Sequence, residues 1–229
     1  MLFSNTILIG VLLAAFPCRI APAQTPGKAQ TTSPTNEQAE KYHSTYQQLV
    51  ERVKKGDAAV DFVDLIAAAS DWDVSAKTLI EVPHRDEMVA AFKAKDYSKA
   101  VDLAESVLDY EFTNRGLHRA TANAYRELGN KAKADFHNDV GEKILKALLT
   151  TGDGKSTETA YCVQSINEEY VIMNYFGYEV SSQAYIVSSS SNYDLLEGKD
   201  KKTGKKVGLY FDISGLFTRC IQSHKQKKT

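Results

Sequence analysis

The feature of this sequence that most constrains its fold is an alanine-rich helix–turn–helix pattern that recurs at an interval of 34 residues. In the clearer copy, a helix rich in small residues ends at a glycine, a polar turn follows, and a second helix begins on alanines. At that offset Ala134 corresponds to Ala100, and Gly129 corresponds to Lys95. The interval is that of a tetratricopeptide helical hairpin. We therefore predict two tandem helical hairpins in residues 84–150, an architecture typical of a scaffold that presents a surface.

The N-terminus has the pattern of an export signal. An apolar run at residues 7–16 is too short to anchor the chain stably in a bilayer, and small residues precede a signal-peptidase site after Ala23. Residues 1–23 are therefore predicted to be a signal peptide, and the mature protein to be periplasmic or secreted without a membrane span. A lipoprotein attached through Cys18 is the second choice, because Pro17 fits poorly before a lipidated cysteine.

Composition divides the rest of the chain. The stretch after the signal is rich in Pro and Thr and has almost no apolar side chains to bury. Beyond Gly152, serine, tyrosine and β-branched residues replace the helical pattern, and Val207, Leu209 and Phe211 alternate with small or polar residues as in a half-buried strand. The predicted fold class is α+β. Its parts are a disordered linker (24–35), a tetratricopeptide-like helical domain (36–150), a small α+β subdomain with an antiparallel sheet and one helix (151–222), and a basic tail (223–229).

The charge balance argues against several classes of function. The net charge is −1, from 28 basic and 29 acidic residues, so the chain lacks the basic excess that neutralises nucleic-acid phosphates. Gly152-Asp-Gly-Lys-Ser156 ends like a phosphate-binding loop, but Leu149 occupies the position of the first required glycine. The five histidines have no metal-ligand spacing, and no nucleophile has a nearby base. We therefore predict no metal, no cofactor and no nucleic-acid partner.

Two cysteines remain after the signal is removed. Cys162 and Cys220 are 58 positions apart in the same predicted subdomain of an exported chain. A disulfide between them is one interpretation, because oxidising compartments favour such bonds. Two unpaired buried thiols are the other interpretation, and the spacing does not decide between them.

The candidate binding surface follows from the repeat register. In a tetratricopeptide array the first helix of each hairpin lines a concave groove, where guanidinium and amide groups suit a peptide carboxylate or backbone. The alternative interpretation is that any helix with a buried stripe has a polar opposite face. With Ala100 and Ala134 aligned, the predicted peptide-binding residues are Arg85, Val89, Phe92, Arg119, Asn123 and Arg126.

Three segments resemble a family of exported bacterial proteins that is catalogued only as a domain of unknown function. They lie at residues 127–137, 152–161 and 209–213, and the resemblance extends over residues 60–216. It implies an envelope or secreted location and a helical repeat fused to a small sheet. It implies no activity and no catalytic residues.

The leading hypothesis from the sequence is a non-enzymatic module of the bacterial envelope that binds a protein or peptide segment. The alternative is a hydrolase-like envelope enzyme with its site in the α+β subdomain, near Glu168, Tyr161 and Asp212. A third possibility is a structural or inhibitory protein that binds its partner through the edge of the sheet.

Overall fold

The computed structural model describes residues 36–76, 82–188, 191–215 and 217–227, with the side chains of residues 36–39, 73–76 and 223–227 left out. The predicted signal peptide (1–23), with Cys18 inside it, and the predicted linker (24–35) lie outside the described residues.

The first part of the described chain is helical. Successive helices pack in pairs, α1 with α2, α3 with α4, and α5 with α6, and α4 also contacts α5. The helices are α1 (Asn36–Lys54), α2 (Phe62–Ala76), α3 (Arg85–Ala94), α4 (Tyr97–Leu108), α5 (Arg115–Glu127) and α6 (Lys131–Leu149).

The α3–α4 and α5–α6 hairpins have matching turns. Asp96 and Asn130 cap α4 and α6, and each side chain accepts a hydrogen bond from the backbone N–H three residues further on. The residue before each cap is left-handed, with φ +58° at Lys95 and +75° at Gly129. The 34-residue correspondence is thus present in the backbone of the turns. The assignment of the hairpins as tetratricopeptide-like stays a prediction.

The second part of the chain forms a four-stranded sheet with the order β1-β4-β3-β2. Strands β2, β3 and β4 are antiparallel neighbours, whereas β1 runs parallel to β4. The strands are β1 (Tyr161–Cys162), β2 (Tyr178–Val187), β3 (Asn192–Asp200) and β4 (Lys206–Asp212), and two helices accompany them, α7 (Ile166–Tyr175) and α8 (Phe217–Lys227).

The α+β class is confirmed, with the helices in the N-terminal part and the sheet in the C-terminal part. The sheet is mixed where an antiparallel one was predicted, and a second helix accompanies it. The difference arises because β1 is only two residues long and pairs with a strand about 50 residues away, an arrangement that local alternation cannot reveal. In the last segment, helix α8 reaches Lys227 and so includes part of the predicted basic tail.

One hydrophobic core joins the helices to the sheet. Leu65 of α2, Leu148 of α6, Met173 of α7, Phe211 of β4 and Phe217 of α8 all belong to it and are each at most 1% exposed. Burial of this kind contributes about 1.5–3 kcal/mol for each large apolar side chain. The position of α7 beside the helical layer, which matters for the site, is fixed by this shared core.

A helix that crosses a membrane has to be both long and predominantly apolar. None of the helices in the described ranges combines the length and the apolar composition needed to cross a bilayer.

Candidate functional site

A cavity of about 310 Å³, the central cavity, opens where the helical layer meets α7. Its walls come from α1, α2, the start of α3, the α4–α5 loop, the start of α5 and the N-terminal half of α7. Aromatic side chains form one side, including Tyr46, Trp72 and Tyr110, and amide groups such as Asn114 and Asn167 form another. The cavity therefore combines apolar surface with convergent polar groups, as ligand pockets do.

The charges inside the central cavity are partly compensated by one another. Arg85 forms an ion pair with Glu111, and Asn114 Nδ2 donates to the other oxygen of the same carboxylate at 3.0 Å. Because the Glu111 carboxylate is paired with the Arg85 guanidinium, the positive charge of Arg85 is already compensated inside the cavity.

Two helix N-termini border the central cavity. Asn114 caps α5, and Ser165 stands before α7. The ends lie close together, since a Cβ built on Gly116 would be 4.0 Å from Asn167 Nδ2. Unpaired N–H groups at a helix start carry a partial positive charge, so two converging starts favour an anionic group.

Glu168 is the acidic residue of α7 in this cavity. Its Oε2 accepts a hydrogen bond from the Gln164 backbone N–H at 2.6 Å. Burial raises the pKa of Glu168 to about 7, although the backbone hydrogen bonds from Gln164 and Ser165 act in the opposite direction. A carboxyl group with this pKa is protonated for part of the time near neutrality.

A second cavity of about 300 Å³, the Arg119 cavity, continues along the same side of α7. It is adjacent to the central cavity because Arg115 and Val171 line both. The α7 residues that line the two cavities are spaced by one, three or four positions and so occupy one helix face. They are Asn167, Glu168, Val171, Asn174 and Tyr175. We name the two cavities together the α5–α7 groove.

The α5 wall of the groove is positively charged. Arg115 Nε donates to the Gly141 carbonyl at 3.2 Å, and a terminal nitrogen of Arg115 is 3.3 Å from Glu142 Oε1. Burial lowers the pKa of Arg115, Glu142 raises it, and the charge of Arg119 lowers it again. Arg119 itself is exposed and has no salt bridge within the described residues. As far as the described ranges show, the Arg119 guanidinium is therefore free to bind a ligand in the groove.

The structure places Arg85 and Arg119 at different cavities. Arg85 lines the central cavity and Arg119 lines the Arg119 cavity, and the connection between them passes Arg115 and Val171. These latter two residues were not singled out from the sequence. The helical spacing on α7 was the available signal, but nothing local indicated that α7 faces α5.

The other four predicted peptide-binding residues lie away from the groove walls described above. Val89 is 40% exposed, and Phe92 is half-buried between two small clusters of apolar side chains. Asn123 and Arg126 are exposed on α5, where the Arg126 guanidinium donates to the Asn123 side-chain oxygen. The binding role of all six residues stays a prediction.

Among the residues considered for an enzymatic site, Glu168 lines the central cavity. Tyr161 and Asp212 are each 4% exposed in the sheet region, and Asp212 Oδ1 accepts a hydrogen bond from the Ser214 N–H at 2.9 Å. Ile172 and Met173 of α7 are fully buried against the sheet. The sheet–helix interface is thus filled by apolar side chains.

Cys162 and Cys220 are bonded to each other. Their Cα atoms are 5.8 Å apart, and the bond connects β1 to α8. Both residues belong to the shared core.

A buried histidine pair connects α5 to α6. His118 Nδ1 and His137 Nδ1 are 2.9 Å apart, and His118 Nε2 is 2.7 Å from the Phe112 carbonyl oxygen. Burial lowers the pKa of His118 to about 4, so the ring is neutral at pH 7. Its Nε2 must carry the hydrogen that Phe112 accepts, and His137 Nδ1 must therefore donate to His118 Nδ1. Both rings are buried between α5 and α6, and neither lines the groove.

A second buried cluster lies between α7 and the sheet. Glu169 is 0% exposed, and neither of its oxygens has a hydrogen-bond partner within the described chain. Burial, together with the neighbouring Asp194, raises the pKa of Glu169 to about 8. Gln183 Nε2 donates to Asp194 Oδ2 at 2.6 Å. With a pKa of about 8, the Glu169 carboxyl group is mostly protonated at pH 7.

Metal-ligating residues do not gather at any of these places. Within the described ranges, no group of three or more His, Cys, Asp or Glu side chains could hold a metal ion.

Comparison with known proteins gives one match. No curated protein and no solved structure matches the chain. The sequence model of the domain of unknown function DUF4919 matches residues 31–220, which is most of the chain and includes all of the groove. The resemblance seen in residues 127–137, 152–161 and 209–213 is confirmed. The chain belongs to the family defined by the domain of unknown function DUF4919.

Proposed function

We propose that this chain is a non-enzymatic binding module of the bacterial envelope or secreted space, and that it holds a peptide segment in the α5–α7 groove. The observation that carries the proposal is the pair of adjacent cavities sharing Arg115 and Val171. Each has the volume of a small ligand pocket, whose range is about 300–1,000 Å³. Two such spaces in a row fit an extended chain better than one compact molecule.

The chemistry of the groove favours a peptide with a carboxylate. Arg115 and Arg119 place two positive charges on the α5 wall, and within the described residues Arg115 has an acidic partner, Glu142, whereas Arg119 has none. Planar guanidinium groups bind carboxylates through paired hydrogen bonds. Tyr175, which is 57% exposed on the opposite wall, offers an aromatic surface. The preferred segment carries an Asp, a Glu or a free C-terminus next to an apolar side chain.

The envelope location in this proposal depends on the sequence of residues 1–23, which has the apolar run and small residues of an export signal. The disulfide between Cys162 and Cys220 supports it, because such bonds persist in oxidising compartments. A tetratricopeptide-like arrangement of the α3–α4 and α5–α6 hairpins is consistent with the same role.

The test uses arrays of random hexapeptides, prepared with free and with amidated C-termini and probed with the labelled chain. We expect acidic or free-carboxylate peptides to be retained, and Arg119→Glu to weaken their binding at least about tenfold, as for the loss of a charge-assisted hydrogen bond. Arg126→Glu is the comparison variant. Arg126 is an exposed arginine on the same helix that lines neither cavity, so binding in the groove predicts little effect, whereas the repeat register predicts a loss.

Two results would contradict the proposal. One is an array on which the chain retains no peptide. The other is a set of retained peptides whose binding falls equally with Arg119→Glu and Arg126→Glu, since this would locate the contact outside the groove.

The alternative function is a hydrolase-like envelope enzyme. The observation in its favour is that Glu168 lines the central cavity and has a pKa raised to about 7 by burial, which suits a general acid or base. Against it, Glu168 already accepts a backbone hydrogen bond at the start of α7, as helix-capping carboxylates do. Hydrolysis of chromogenic esters or peptides that is lost in Glu168→Gln would establish the enzymatic alternative.

A further inference from the structure

Strand β2 forms an uncovered edge of the sheet. It has ten residues, and within the described chain its only neighbouring strand is β3. Tyr185 and Val187, on this strand, are 61% and 70% exposed. Exposed edges with large apolar side chains are sites where a further strand can add.

The features that usually protect an edge strand from pairing are absent from residues 182–187 of β2. No charged residue and no proline occurs from Val180 to Ser188. The one irregularity is a bulge between Val180 and Ser182, which leaves residues 182–187 as a regular stretch. Natural edges are commonly blocked by lysine, proline or a bulge within the exposed stretch, so this segment is open to pairing.

The hydrogen-bond alternation shows which peptide groups face outward. The Ser188 N–H donates to the Ser191 carbonyl at 3.0 Å, so this pair is hydrogen-bonded within the β2–β3 ladder. Successive opposed pairs alternate between bonded and non-bonded. The peptide groups of Val187, Tyr185 and Gln183 therefore point away from β3, toward solvent.

We propose that β2 pairs with β2 of a second copy of this chain, antiparallel, about a twofold axis at Tyr185. In this register Tyr185 lies opposite Tyr185 of the second copy, and Gln183 lies opposite Val187 of the second copy. All three residues whose peptide groups point away from β3 are therefore paired. Each bonded pair exchanges two hydrogen bonds, which gives about six across the interface. On the other face of the strand, Ala184 lies next to Ile186 of the second copy.

A second copy is the occupant that the charges favour. Twofold pairing brings a strand against its own sequence, so any charge within the paired stretch would meet a like charge nearby. Residues 182–187 contain none, and Glu179 lies beyond the bulge, outside the stretch. The neighbouring strands β3 and β4 both carry acidic and basic residues. The interface uses β2 alone and is independent of the α5–α7 groove.

The experiment measures the molar mass of the disulfide-bonded chain by light scattering at about 10–100 µM, a range in which micromolar dissociation constants produce dimer. We expect the wild type to approach twice the mass of one chain. Tyr185→Lys and Tyr185→Glu should each be monomeric, because the Cα atoms of a bonded pair lie about 5.5 Å apart and like charges would then face each other. An equimolar mixture of the two variants should recover the dimer.

Recovery in the mixture is specific to the twofold axis at Tyr185, since a peptide or another protein on this edge would not require opposite charges on two copies. Leu128→Lys is the control, because Leu128 is 46% exposed at the C-terminal end of α5, a helix that packs against α4 and α6, and its substitution should leave the dimer intact. Far-UV circular dichroism verifies that each variant is folded. A monomeric wild type would overturn the proposal, as would a dimer that persists in both single variants, or one that the mixture fails to restore.

Discussion

Glu169 makes the stability of this protein depend on pH in a direction opposite to that of most carboxyl groups. Burial, with the neighbouring Asp194, raises the pKa of Glu169 from 4.5 to about 8. Between these values the folded chain holds a proton that the unfolded chain has released, so the free energy of unfolding falls as the pH rises from 4.5 to 8. Each pKa unit is equivalent to about 1.4 kcal/mol, which makes the total loss about 5 kcal/mol.

The substitution Glu169→Gln removes this dependence while it preserves the packing. The glutamine amide is close to the shape of the carboxylic acid and stays neutral at every pH, so it occupies the same buried site without a charge. We expect the variant to be within about 1 kcal/mol of the wild type at pH 5, and more stable by several kcal/mol, up to about 5, at pH 9.

The assay is urea unfolding followed by far-UV circular dichroism at pH 5, 7 and 9. The quantity compared is the difference in unfolding free energy between variant and wild type, because other groups that titrate in both proteins cancel in this difference. Glu127→Gln is the matched control, since Glu127 is exposed and has no ion pair within the described residues. If the difference for Glu169→Gln is the same at pH 5 and pH 9, the buried carboxyl group is not protonated at neutral pH and the reasoning fails.

Two further predictions concern the disulfide and the hairpin turns. Cys162→Ala together with Cys220→Ala should lower the free energy of unfolding by about 4 kcal/mol, because the bond closes a separation of 58 residues in the unfolded chain; a loss below about 1 kcal/mol in urea unfolding would contradict this. Lys95→Gly should raise the melting temperature, with a gain of about 0.5–1 kcal/mol, because the left-handed backbone at Lys95 suits glycine. Gly129→Ala at the equivalent turn should lower the melting temperature. A change in the same direction for both variants would refute the equivalence of the two turns.

Several local features of the fold could be read from the sequence because short-range chemistry determines them. Asp96 and Asn130 correspond at the 34-residue offset, and both cap helices, although the sequence alone favours Ser98 as the cap of α4. Gly177 was recognisable as the end of α7, and it has the positive φ typical of a helix stop. The period-two alternation after residue 206 predicted β4, which is observed at Lys206–Asp212. In each case the residue type and its immediate neighbours decide the conformation.

Other features depend on contacts between distant segments. Apolar spacing predicts that the second helix ends near Ala69, but α2 continues to Ala76. Trp72 of α2 stacks on two rings of α1, with centroid distances of 5.0 Å to His43 and 5.2 Å to Tyr46. Tertiary packing thus extends the helix beyond its polar residues. The groove was not predictable for the same reason, because α5 and α7, which face each other across it, are about 50 residues apart in sequence.

The attachment of α8 to α2 limits how this polypeptide can be divided or shortened. The Phe217 N–H donates to Ser70 Oγ at 3.2 Å, and Thr218 Oγ1 donates to Asp71 Oδ1 at 2.8 Å, across 147 positions of sequence. A nascent polypeptide cannot form these bonds until residues 217 and 218 have left the ribosome. A fragment that stops at residue 150 would leave the inner sides of α2 and α6 in water, so the helices and the sheet must complete their folding together.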